Sequence, residues 1–377
     1  MFEVSERTIF VTLAGSQAHG TARDGSDVDL RGVCVAPLEV RISLFQSFEQ
    51  SEAPLVGDLY DAVLARLKAH STATRGLGQR IETVVFELAK FVTLCAAGNP
   101  NALEILFADE QEWLFETPIW RRLHSQRAQF LTRKVQQTYL GYALAQLKRI
   151  RTHRSWLLTP PTKKPSRADF GLPERGTFSR DDQHRLEQGI AEKVRSYGID
   201  NLEMSKPVRI AVEDRLQRFW ADSLNCPDDE LEQRMRAVAT HALDIPSGVV
   251  STLNAEKRYL SAMKQWESYE TWKAERNAAR AELESRHGYD TKHAMHLVRL
   301  MRMGLEILQM GEVRVRRPDA DELNSIRDGA LTYEELMATA TDLQSKMEDA
   351  TGSSRLPADV DYGRVDRLVF ELVGDAG

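Results

Sequence analysis

The chain has 377 residues, 42% hydrophobic and 28% charged, with a formal net charge of -6. These values describe a well-mixed globular sequence with room for two or three domains, and they exclude a disordered or uniformly basic chain, so any nucleic-acid surface must be local. Cys34, Cys95 and Cys226 are far apart with no CxxC pair, which excludes a disulfide framework and a cysteine-based zinc site; the acidic start "MFEVSERTIF" and the lack of a long apolar run predict a cytoplasmic protein without membrane spans.

"TIFVTLAG" is β-branched and aromatic and stops at Gly15, the pattern of a buried strand ending in a tight turn. "SQAHGTARDGS" has room for a turn or two of helix and a loop. "DVDLRGVCVA" alternates and then becomes apolar, so a second strand is expected there. A third, "RIETVVFEL", runs into the helical pattern "ELAKFVTLCAAG", closed by Gly98 and Asn99-Pro100.

In a strand, residues two apart share a face, so Asp27 and Asp29 project together while Val28 and Leu30 enter the core. Two carboxylates held that close call for a hard divalent cation, Mg²⁺ or Mn²⁺. Glu82 is the third carboxylate if its strand lies beside theirs, with Glu87 competing at the strand-to-helix junction. Gly15-Ser16 supplies backbone amides, a hydroxyl and the start of a helix for the phosphates of an NTP. His19, Arg23 and Arg31 lie within or beside this segment as candidate triphosphate contacts.

After about residue 110 the pattern is predicted to be almost wholly helical. "RKVQQTYLGYALAQLKRIRTHR" keeps apolar residues at helical spacing. Pro160, Pro161, Pro165 and Pro173 then break it, giving a basic Pro-rich loop near 159–176. His153, Arg154 and Trp156, with Lys163, Lys164 and Arg167, mix basic and aromatic groups as nucleic-acid contacts do. Helices are expected over 185–223, over "AEKRYLSAMKQWESYETWKAERNAARAELESRHG" as one long element, and over "DTKHAMHLVRLMRMGLEILQMG". "VRVRRPDADELNSIRDG" reads as a short strand and a capped helix. In "YDTKHAMHLVRL", Lys292, His293 and His296 are candidate contacts for nucleotide or acceptor phosphate; a zinc site on the two histidines lacks a third ligand in sequence. Met295, Met301, Met303 and Met310 are assigned to the core. GxxxxGKS/T, HExxH and GxSxG are all absent.

Gly15-Ser16, Asp27-x-Asp29 and a later strand carboxylate resemble the signature of the nucleotidyltransferase superfamily that includes DNA polymerase β. "GSQAHGTARDGSDVDLRGV", "ELAKFVTLCAAGNPNALEILF", "HRSWLLTPPTKKPSRADFGLP" and "RHGYDTKHAMHLVRLMRMGLEIL" together resemble its RNA-repair-pathway family. The resemblance implies an α+β fold with a mixed-sheet catalytic core over 1–110 and a helical region over 111–377 closing the cleft. It implies transfer of NMP from an NTP to an acceptor hydroxyl, with Asp27 and Asp29 binding two Mg²⁺ and Glu82 activating the acceptor. Glu82 stands where the superfamily usually has Asp. An RNA 3′ end is the leading acceptor; a protein hydroxyl, a non-catalytic nucleotide- or RNA-binding module and a gap-filling polymerase are the alternatives, the last weakened by the absence of a helix-hairpin-helix pattern.

Overall fold

The computed structural model describes residues 2–70, 80–172, 174, 180–199, 206–224, 247–276 and 278–376. Pro173, Cys226 and the end of the Pro-rich loop lie outside these. The chain divides into two compact units, Met1–Leu158 with Ala278–Gly377, and Thr159–Asn277 between them in sequence.

The first unit is built on a mixed five-stranded sheet in the order β3-β4-β2-β1-β5: β1 Thr8–Ala14, β2 Val28–Cys34, β3 Gln50–Ser51, β4 Ile81–Glu87 and β5 Trp113–Glu116. β1 is antiparallel to β2 and β5, β2 runs parallel to β4, and β3 closes the far edge antiparallel to β4. Alternation divides the side chains between the two faces. Val11, Leu13, Val28, Leu30 and Val85 point into one core with Leu59, Val63 and Leu67 of the helix Gly57–Ala69. Phe10 and Val33 point to the other, where Phe10 stacks on Trp120 with ring centroids 3.6 Å apart.

The helices that follow are numbered in chain order: α1 Gly15–His19, α2 Leu38–Arg41, α3 Gly57–Ala69, α4 Leu88–Ala96, α5 Pro100–Leu106, α6 Pro118–Ser125 and α7 Val135–Leu158; α3 covers the first face of the sheet and α4 to α7 build the core on the second. The second unit holds α8 Arg180–Ser196, α9 Lys206–Leu224 and α10 Ser247–Glu275. The first unit resumes with α11 Ala278–His287, α12 Thr291–Met310, α13 Ala320–Arg327, α14 Tyr333–Ser353 and α15 Tyr362–Ala376. Buried α12 packs along both α7 and α14. Gly304 permits this close approach, since a Cβ there would lie 2.7 Å from Met347 Cε and 3.0 Å from Tyr139 Cβ.

The α+β nucleotidyltransferase fold with a helical C-terminal region, expected from the sequence, is the one observed. Local differences have physical causes. β5 is a short edge strand whose sequence, "WLFE", carries no clean alternation. The expected strand at Val313–Arg316 does not form; Arg316 and Arg317 are held instead by Glu112 and by Glu306 with Asp319, and the Arg317 amide donates to the His19 carbonyl at 3.1 Å. The long helix expected before Gly288 is two, α10 and α11. Among the described residues no helix is long and apolar enough to cross a membrane.

Candidate functional site

Asp29 and Glu82 are directly paired across the parallel β2/β4 ladder, and Ala14, the last residue of β1, pairs with Asp29 on its other side. Paired residues leave the same face, so the two carboxylates project together beside the start of α1. Asp27 lies exposed just before β2 begins. Gly15 has φ +58°, and a Cβ added there would come 2.3 Å from Asp29 Oδ2. Only glycine lets the chain turn at this point with the carboxylate pressed against its backbone.

Burial raises the Asp29 carboxyl above its ordinary value; Arg31 opposes this, while the charges of Glu82 and Asp27 add to it. The three acids therefore repel one another through space. Their side chains do not converge on a single point. Arg31 Nη2 lies 3.3 Å from Asp29 Oδ1, and Arg80 Nε lies 3.3 Å from Glu82 Oε1. Among the described residues, these three do not form a group of ligand atoms close enough to hold one ion. As a donor set, carboxylate oxygens on a strand pair and its approach suit a hard divalent cation, and the exposed Asp27 and half-buried Glu82 side chains can turn toward one.

Glu87 is placed differently. It is of opposite parity to Glu82 on β4, it is buried, and its carboxylate caps α4, accepting from the Ala89 amide at 2.6 Å and the Lys90 amide at 3.2 Å. An N-cap carboxylate is committed to the helix it starts. The Asp29 register partner is thus Glu82, not Glu87.

A cavity of about 250 Å³ opens on the same side of the sheet, lined by Ala14, Gly15, His19, Arg31, Asn101, Glu104, His296 and Arg299 among others. Its charged wall is a buried triad. Arg299 Nη1 donates to Glu104 Oε1, and His19 Nε2 lies 3.0 Å from both Arg299 Nη1 and Glu104 Oε2. Burial pushes Glu104 up, but Arg299 and His19 outweigh it and hold the carboxyl well below its ordinary value. Burial, reinforced by Arg299, keeps His19 below its own. His296 is likewise lowered by burial, then by Arg299 and Lys292.

The sequence-predicted residues thus divide into groups. Gly15, Ser16, Asp29, Glu82 and Arg31 gather at the β1-α1 turn, with Asp27 at its rim, and His19 and His296 line the adjoining cavity. Arg23 is engaged elsewhere: its guanidinium donates to both Asp328 oxygens, at 2.7 and 2.9 Å, and to the Asn324 carbonyl, tying the β1–β2 loop to α13. Lys292 is exposed on the first turn of α12, and His293 turns toward His153 and Asp290. Asn101 and Arg299 were not singled out from sequence as cavity residues. Their signal was spacing, since Asn101/Glu104 and His296/Arg299 are polar pairs three apart on otherwise apolar helices.

Residues 2–158 match the family model described as RNA repair pathway DNA polymerase beta family, in agreement with the resemblance in the sequence. The match takes in the sheet, Gly15-Ser16, the three acids and Glu104, and ends before α12, the helix that carries His296 and Arg299. No curated protein and no solved structure gives a significant match to the chain.

Proposed function

We propose that the protein is a divalent-metal-dependent nucleotidyltransferase that moves NMP from an NTP to a hydroxyl, releasing pyrophosphate, with an RNA 3′ end as acceptor. The observation that carries this reading is the pairing of Asp29 with Glu82 on adjacent parallel strands, with Gly15 pressed against the Asp29 carboxylate. The family match over the same segment supports it.

In this reading the acceptor oxygen forms a bond to the α-phosphorus as the bond from that phosphorus to the β-bridging oxygen breaks. Asp27, Asp29 and Glu82 would hold Mg²⁺ or Mn²⁺, which when bound supplies charge neutralisation for the phosphates and the leaving pyrophosphate. Glu82, beside Asp29 on the adjacent strand, activates the acceptor hydroxyl by taking up its proton. Gly15 and Ser16 hold the β and γ phosphates with backbone amides and a hydroxyl. Arg31, on the same face as Asp29, balances the carboxylates before nucleotide arrives and can then turn to a phosphate. His19, Lys292 and His296 extend the nucleotide-binding surface, and the helices of the first unit beyond residue 111 close the cleft. A cytoplasmic setting belongs to the same proposal, supported by the buried free thiols of Cys34 and Cys95.

The test is label transfer. With Mg²⁺ or Mn²⁺ and each α-labelled NTP, the parent protein labels an RNA 3′ end, and the Asp27→Ala/Asp29→Ala protein loses at least about 100-fold of that rate. Label that appears on protein instead of RNA reassigns the acceptor; transfer equal in the double mutant overturns the catalytic reading.

A further inference from the structure

Helix α12 begins with a device that does more than start a helix. Asp290 is its N-cap: Oδ1 accepts from the His293 amide at 3.1 Å, and the residue is fully buried. Its second oxygen, Oδ2, faces two imidazoles. His153 Nδ1, from α7, lies 3.1 Å away, and His293 Nε2 lies 3.5 Å away. One atom from each of these residues falls within 4.8 Å of the others, a group that could hold a metal ion.

The spacing is informative. For ligand bonds of about 2.0–2.1 Å around a tetrahedral ion, neighbouring donor atoms stand about 3.3 Å apart. The two measured separations bracket that value. The tautomer agrees as well: Gln146 Oε1 lies 2.8 Å from His293 Nδ1 and accepts its proton, which leaves the Nε2 lone pair aimed at the carboxylate. A ring nitrogen fixed through its far side by an amide oxygen is the supporting contact that metal-bound histidines typically carry. His153 is fixed too, stacked on Trp156 with centroids 5.5 Å apart. The strand of chain leading into Asp290 is anchored where Arg154 donates to the Gly288 carbonyl at 2.9 Å and the Tyr289 hydroxyl donates to the Leu331 carbonyl at 2.6 Å.

We propose that His153, Asp290 and His293 form a second metal site, taking one borderline-soft divalent ion of the zinc class through two nitrogens and one oxygen, with a fourth position open to water or an oxygen ligand. Two imidazoles select Zn²⁺ over Mg²⁺, whereas the all-oxygen set at β2 and β4 selects the reverse. The two sites are chemically independent, and this one does not rest on the transferase reading. Its ligands stand 137 residues apart in sequence, on the segments before and after the inserted unit, so the ion fastens α7 to α12 across that insertion.

The experiment uses the full chain stripped with chelator and then titrated with Zn²⁺ against a chromophoric chelator in excess Mg²⁺. One equivalent binds, Co²⁺ in its place gives the intense visible bands of a four-coordinate ion, and the ion raises the melting temperature. His153→Ala and His293→Ala each weaken binding about tenfold or more, while Asp27→Ala/Asp29→Ala binds as the parent does. Absence of one tight equivalent in the parent chain overturns the proposal whatever the variants do, and so does binding that is lost with Asp27 and Asp29 instead of the histidines.

Discussion

At the scale of single residues, Asp29 shows how a candidate site residue departs from what stability alone would choose. Its carboxyl is raised above the ordinary 3.8 by burial and by Glu82 and Asp27. A carboxyl that holds its proton more tightly in the folded chain takes stability away as pH rises through the window above that value, and has no such effect below it. Asp29→Asn should therefore match or exceed the parent in urea midpoint at pH 7, the difference closing near pH 3.5, and under the proposed function it loses nucleotide transfer. A variant clearly less stable at neutral pH would mean that the Arg31 pair outweighs the repulsion. The sequence made this position legible because an acid two residues from another in an apolar strand has no structural excuse. Glu87 was a rival to Glu82 only while register was unknown; parity and the α4 cap separate them, and neither is a local property of "RIETVVFEL". Arg23 was unreadable for the same reason, since its partner Asp328 is 305 residues away.

Among elements, the packing of α12 between α7 and α14 turns on one missing side chain. Gly304→Leu would drive its branch into Tyr139 and Met347, and overpacking of this kind costs about 1–3 kcal/mol; the expected result is a lower denaturant midpoint with far-UV helicity retained. An unchanged midpoint would mean that the helices can separate freely. Periodicity found α12 readily, because apolar residues at helical spacing between Asp290 and Gly311 leave no other assignment. What periodicity could not supply is which helix it meets, and hence that His293 faces His153 and that His296 and Arg299 face the β1-α1 turn. The same ignorance of neighbours explains the strand expected at Val313–Arg316, where alternating residues meet ion-pair partners and no sheet edge.

For the molecule as a whole, one buried and two half-buried histidines set the acid limit. His19, His124 and His296 are all lowered from 6.5, chiefly by burial, His124 to about 4. The unfolded chain takes up their protons first as pH falls, so stability is complete above 6.5 and declines below it. The urea midpoint at pH 5.5 should accordingly fall below that at pH 7.5; equal midpoints would argue against neutral histidines in the folded state. Residues 2–158, the span of the family match, form only part of their compact unit. Expressed alone, that fragment lacks Arg299 opposite Glu104 and the apolar face of α12 against α7, and it should show no cooperative melting transition; a sharp one would make the C-terminal helices dispensable. The Glu104–Arg299 pair spans 195 residues. At synthesis rates of about 5–20 residues per second, the carboxylate waits roughly 10–40 s on the ribosome for its counter-ion. Throughout that interval the α5 segment has its acid without Arg299 and its leucines without the apolar cover of the C-terminal helices, which makes the growing chain, more than the finished protein, the form exposed to aggregation.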